Sequence, residues 1–465
     1  MNHNIKIKTS KEYDLVVCGG GFTGVACAYQ ASLLGLKVAI VESKGNLGGV
    51  GTSAYVPILL GGIDYDYKND KYNFIVGGFF KKMYYDLRRT NACINLYKIN
   101  RKESPHGWYG GLANSIIFDV EKMKILLDKY LIDNNVDIMY FTNVVDVKLS
   151  NNEIDYVLCS NKSGFHALSA KAFADCTGDA DVAVLSNCEF KLGREKDHLM
   201  APASLIMVVE NVDTKLYIDT IKKDNSPRFK EKIKELRKKG IWKFPYDILI
   251  SVELNKSKVH ILNTIRQVGI DGTDAASITK GMINGRKENE ELFNILKEFF
   301  PGFENAYISQ TAEMIGIRET RRIVGEYVLS MEDLLEGKIF KDTICLSSYY
   351  FDLPDPKKPS FQPISDEKYI IKNKYTQIPY RTMIPKQISN LICPGRAISV
   401  EREVLGPIRV MGPCVGMGQA AGIASYAMIK DKVSYKNVNI KEILDLLKAN
   451  ECIINNEDII EVEKI

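Results

Sequence analysis

Apolar residues in this chain come in short runs that stop at glycine or at an acid, and the first run sets the pattern. Residues 15–18 read Leu-Val-Val-Cys, and Gly19, Gly21 and Gly24 follow. Small residues come next, with Val25, Ala26, Ala28 and Ala31 at helical spacing. A second apolar run over 37–41 ends at Glu42. Strand, Gly-x-Gly-x-x-Gly turn, helix, strand and terminal acid predict a β-α-β dinucleotide unit. Gly19 permits the tight turn, Gly21 leaves room for a pyrophosphate, and Gly24 lets the helix pack close to the strand. The helix start offers unpaired N–H groups to phosphate. Glu42 suits a ribose diol and repels a 2′-phosphate.

The same alternation continues. Met123, Leu126, Leu127, Tyr130 and Leu131 predict a helix over 118–134. Strands are expected over 137–149, where the backbone at Val144 or Val145 would face an adenine ring. Hairpin strands follow over 153–174. A further apolar run ends at Thr177-Gly178-Asp179, the place where parallel sheets bind ligands. Asp179 and Asp181 read either as cofactor contacts or as an Asp-rich turn.

Between 195 and 385 the pattern changes to strand-like runs (203–209, 247–254, 258–262) broken by helices expected over 230–239 and 277–300. Near the end a short apolar strand stops at Gly395, and a small-residue helix is expected to begin near Gly416, its positive end toward the ligand. Ile440, Ile443, Leu444 and Leu447 mark a surface helix.

Composition narrows the function classes. The 465 residues allow two or more domains. With 62 Lys+Arg against 58 Asp+Glu, the net charge of +4 argues for neither nucleic acid nor a membrane surface. The polar start predicts no signal peptide, and no apolar run is long enough to span a membrane. The 10 cysteines include no Cys-x-x-Cys pair, and the 5 histidines, His3 and His106 among them, show no ligand spacing. Neither an iron–sulfur cluster nor another metal is expected. A reducing cytoplasm is.

Two features carry candidate chemistry outside the nucleotide unit. Aromatic residues crowd 53–117, from Tyr55 to Tyr85, as pocket lining or as core. Arg318, Arg321 and Arg322 stand among apolar neighbours, and Arg409 sits in Ile-Arg-Val-Met. Arg318, Arg322 and Arg409 are the candidates for anchoring a substrate or delivering a proton; ion pairing is the competing reading. Cys414 reads as redox-active or as an inert buried thiol.

A second glycine cluster, Gly48-Gly49 with Thr52, follows the ribose acid and resembles FAD-binding proteins rather than a simple NAD domain. With Gly19 to Gly24, Glu42, Thr177-Gly178-Asp179, Pro301-Gly302-Phe303, Gly316 to Gly325, Ile378 to Arg381, 390–399 and 409–422, the chain resembles FAD-dependent oxidoreductases of the glutathione-reductase-like fold. The branch it looks closest to is related to the flavin-carrying component of heterodisulfide reductase, and more distantly to fumarate reductase flavoproteins.

The resemblance implies an α/β fold: a Rossmann-like FAD/NAD(P)-binding domain with an inserted α+β substrate domain. The expected division is 1–194 and 386–430 for FAD, 195–385 for substrate and 431–465 for a helical tail. It implies bound FAD, with Gly19, Gly21, Gly24 and Glu42 at the ADP half and Val145 at the adenine. Gly48, Gly49 and Thr52 would reach the ribitol and ring, Gly178 and Asp179 the pyrophosphate and ribose, and Gly395, Arg396 and Gly418 would close over the flavin. The dicarboxylate pattern of fumarate reductases and the cluster cysteines of heterodisulfide reductase have no counterpart here. Expected partners are a small-molecule substrate and a redox protein. The alternatives are an NAD-dependent dehydrogenase and a flavin-carrying electron-transfer protein within a redox complex.

Overall fold

The first apolar run becomes the strand Tyr13–Cys18, buried almost throughout: Leu15 and Val17 pack on Val25 and Ala28 of the following helix, and Val16 and Cys18 on the opposite face with residues such as Ile154, Val157 and Ile323. In this computed structural model, residues 6–9, 11–98, 114–226, 228–359 and 371–464 are described. Part of the aromatic stretch (99–113), together with His3 and His106, lies outside them.

Tyr13–Cys18 pairs in parallel with Val38–Val41, which pairs in parallel with Asp137–Met139. On its other side lies Gly164–Asp175, also parallel, followed by Leu391–Ile392. Glu153–Asn161 and Asn143–Ser150 extend the sheet as antiparallel strands. The result is an α/β fold on a largely parallel sheet, with its ligand edge at the carboxyl ends of the strands.

Two helices hold the glycine turn in place. Phe22–Leu33 follows the first strand, and Met411–Asp431 packs along it. Their contact is built from small residues. A Cβ on Gly418 would overlap the Thr23 carbonyl oxygen, and one on Gly422 the Cys27 carbonyl oxygen. The second helix begins five residues before the expected Gly416. Its start is Met411, with Val410 as N-cap, so Gly418 lies two turns inside it.

A separate four-stranded antiparallel sheet runs Ser251–Glu253, Val259–Leu262, Met207–Glu210, Tyr307–Thr311. The helix Ala275–Phe299 buries Gly281, Gly285, Asn289, Leu292 and Leu296, one stripe at helical spacing. The segment expected as one insertion, 195–385, divides. Residues 207–311 form this sheet with helices around it. The hairpin Thr343–Ser347 with Thr376–Pro379 and neighbouring apolar residues from Leu329 to Ile384 instead join the core beside the nucleotide unit. The tail returns as well: Ile460–Glu461 pairs with Lys71–Phe74.

Candidate functional site

The strand ends, the second sheet and the start of the long helix enclose one cavity of about 520 Å³, a usual size for a ligand pocket. Its two ends differ in construction.

The glycine end is mostly backbone. Gly19 takes φ +104°, and a Cβ there would overlap the Cys176 carbonyl. Gly24 faces the Gly19 carbonyl oxygen, which a Cβ would overlap. Gly21 borders open space and caps Phe22–Leu33 with no side-chain bond, leaving the helix N–H groups to the cavity. Gly48 N–H donates to the Gly20 carbonyl at 2.8 Å, docking the second glycine loop on the first turn. Glu42 is held by three donors: Gly20 N at 2.7 Å, Lys44 N at 2.8 Å and Ser43 Oγ at 3.1 Å. An ionised carboxylate has about four acceptor sites, so capacity remains for a hydroxyl.

Asp179 and Arg396 form one unit at the next strand end. Arg396 Nη2 and Thr320 Oγ1 both donate to Asp179 Oδ1 at 2.6 Å. Arg321 donates to Asp181 at 2.8 Å. Beneath the turn Asp175 is fully buried; it accepts from Thr177 and Ala183, and burial pushes it up to about 6.

The opposite end is made of side chains from distant segments: Ser204, Ile206, Asn263, Arg318, Tyr349, Asp352 and Arg409. Arg409 Nη2 donates to the Asp352 carbonyl at 2.7 Å and reaches its carboxylate at 3.4 Å. Tyr349 donates to the same carboxylate at 3.1 Å. Arg318 donates to the Pro202 carbonyl. Burial, then Arg266 and Arg409, push its guanidinium down to about 9, so it stays cationic at neutral pH.

Several expected site residues sit elsewhere. Thr52 is fully buried and donates to the Leu47 carbonyl at 2.6 Å, which fixes the glycine loop from behind. Val145 is 42% exposed, and the wall there is Thr142, Asn143 and Val144. The strand alternates faces, so a one-residue offset turns the side chain outward. Gly395 packs on Thr23 and Gly418 between helices. Arg322 is 2% exposed and donates to the Gly193 and Val400 carbonyls at 3.2 Å; it is a buried strut. Arg409, a candidate for anchoring a substrate with ion pairing as the competing reading, lines the cavity. Its partner is Asp352, 57 residues earlier in the chain. Cys414 lines the cavity, but burial pushes its thiol up to about 11, so it stays protonated.

Ser204, Asn263, Tyr349 and Asp352 carried no motif. The signal that would have found two of them is position: Asn263 directly follows the strand Val259–Leu262, and Tyr349 comes two residues after Thr343–Ser347.

The sequence profile of the family described as FAD dependent oxidoreductase matches residues 14–447. The chain belongs to that family. Its cofactor is FAD, and the reading as an NAD-dependent dehydrogenase is set aside. No curated protein sequence matches the chain. Similar solved structures include a geranylgeranyl bacteriochlorophyll reductase-like protein from Thermoplasma acidophilum, 12% identical, covering 96% of this chain and 84% of that one, with TM-score 0.45. Another is p-nitrophenol 4-monooxygenase PnpA from Pseudomonas putida DLL-E4, 13% identical, covering 95% and 84%, also with TM-score 0.45.

The glycine end fits the family's cofactor on its own geometry. It offers an uncapped helix start, a cavity border at Gly21 that a side chain would fill, and a fixed carboxylate for a diol. Among the described residues no group of His, Cys, Asp and Glu is placed to hold a metal ion, and no helix is long and apolar enough to cross a membrane.

Proposed function

We propose that this FAD dependent oxidoreductase moves a hydride between a small organic substrate and the flavin N5, both held in the one cavity. The observation that supports this reading is the cavity's double character: nucleotide-type backbone at one end, and convergent side chains of the second sheet and of Tyr349 to Arg409 at the other. In this reading Gly19, Gly21, Gly48 and Gly49 give backbone contacts, Glu42 holds the ribose, and Gly178 with the Asp179–Arg396 pair closes the phosphate side. FAD, when bound, supplies two-electron chemistry; this chain orients the partners and keeps water out. Val56, Ile58, Leu60 and Ile315 also line the cavity. An apolar chamber of that kind favours an enzyme with its own substrate over a pure electron-transfer protein.

Within the family, the branch related to the flavin-carrying component of heterodisulfide reductase is the proposed relation, supported by the motif set from Gly19 to Gly422. The described cysteines are buried free thiols, which supports cytoplasmic residence.

The test is anaerobic incubation of the FAD-loaded protein with pooled metabolites, following flavin absorbance near its visible maximum. Bleaching by a metabolite is the expected result. Reduction by a carrier protein alone, with every pool inert, would replace the enzyme reading with the electron-transfer one.

A further inference from the structure

The substrate end holds more positive charge than its visible carboxylate offsets. Arg318 lies close enough to Arg266 and to Arg409 for both to act on it, and Asp352 acts on Arg266 and Arg318 and is reached by Arg409 at 3.4 Å. Arg266 is 8% exposed and donates to the Pro359 carbonyl. Arg318 and Arg409 likewise donate to main-chain carbonyls. Carbonyls position a guanidinium without neutralising it. The Nε–H groups of Arg266 and Arg409 are buried and have no partner among the described residues. Ser204 Oγ and Asn263 Oδ1, from residues lining the same cavity, are also buried without a partner among the described residues. Buried polar atoms are normally paired. Here three unpaired ones, on Arg409, Ser204 and Asn263, belong to residues that line one cavity.

We propose that this end seats a small hydroxy carboxylic acid. Its carboxylate lies on Arg318 and Arg409, with Arg266 behind them, and its hydroxyl lies between Ser204 and Asn263. A planar guanidinium fork suits a carboxylate. A hydroxyl both donates and accepts, as Asn263 Oδ1 and Ser204 Oγ require. The apolar walls take the body of the molecule. The proposal rests on the reading of this cavity as the substrate chamber, and its test separates the two.

The probes are lactate, 2-hydroxyisocaproate and mandelate, their neutral amides, and inorganic phosphate. Each is titrated anaerobically into FAD-loaded protein while flavin absorption is followed. At least one acid should give a saturable shift or bleaching, with its amide needing about tenfold or more higher concentration, the cost of a lost charge-assisted bond. Arg318→Met and Arg409→Met should each raise half-saturation about tenfold or more with FAD content unchanged, and Ser204→Ala a few-fold. Thermal shift by the same acids covers any variant that purifies poorly, and Arg409→Lys keeps the charge without the fork. Acid and amide acting alike, phosphate matching the acids, or arginine variants losing FAD would overturn the proposal. A wild-type protein that carries no FAD would instead overturn the cavity reading beneath it.

Discussion

The two ends of the cavity solve recognition in opposite ways. At the glycine end the chain meets its ligand with main-chain groups set by local sequence, and the polar side chains there are already tied to the protein. Glu42 holds three donors, and Asp179 holds Arg396 and Thr320. At the other end Ser204, Asn263, Tyr349 and Arg409 come from four separated segments, and several of their polar atoms are unpaired. A cofactor that never changes is met by pre-formed backbone. On the proposed reading, the substrate is met by side chains gathered from distant segments.

The largest expected effect probes what holds the substrate end in place. Glu319, between Arg318 and Thr320, is fully buried; it accepts from Arg402 Nη2 at 2.6 Å and from the Ala201 N–H. Glu319→Ala strands Arg402 and should cost about 3–5 kcal/mol, read by urea unfolding. A loss under 1 kcal/mol would show that the arginine end is not braced this way.

A smaller effect separates the two regions by pH. His260, in the second sheet, is buried between Thr214 and Ser251, and burial holds it down to about 3. The unfolded chain takes up its proton below the ordinary value near 6.5, while the fold keeps His260 neutral. Its contribution is therefore complete above pH 6.5 and is lost as pH falls toward 3. Between pH 6.5 and 5 that is about 2 kcal/mol. His260→Gln should flatten this part of the stability profile; an unchanged slope would move the acid sensitivity elsewhere.

The glycine end was legible in the sequence because its geometry is local. Gly19 and Gly24 touch each other or Cys176, and Glu42 closes on Gly20, so a contiguous pattern encodes the contacts. The substrate end was legible only as isolated arginines. Arg318, Arg321 and Arg322 look alike in the chain, yet one faces the cavity, one pairs with Asp181, and one props the Gly193 carbonyl. Their separation depends on strand facing and on partners more than 100 residues away. The partner of Arg409, 57 residues earlier, lies outside any local pattern, and so does the mixed fate of 195–385, which tertiary packing divides between two cores.

The smallest stability change expected is at Gly21. A Cβ there meets nothing within 4 Å, in contrast to Gly24. Gly21→Ala should alter stability by no more than about 0.5 kcal/mol while crowding the space at the helix start and lowering FAD retention. Full retention at unchanged stability would mean that the cofactor does not approach this turn.

The division between the ends is tested most directly by FAD content per chain after exhaustive dialysis, compared between Glu42→Ala and the double variant Arg318→Met, Arg409→Met. Glu42→Ala should release FAD, losing about 1.5–3 kcal/mol of binding, and the double variant should keep one FAD per chain. The reverse result, with FAD kept by Glu42→Ala and lost by the double variant, would contradict the account.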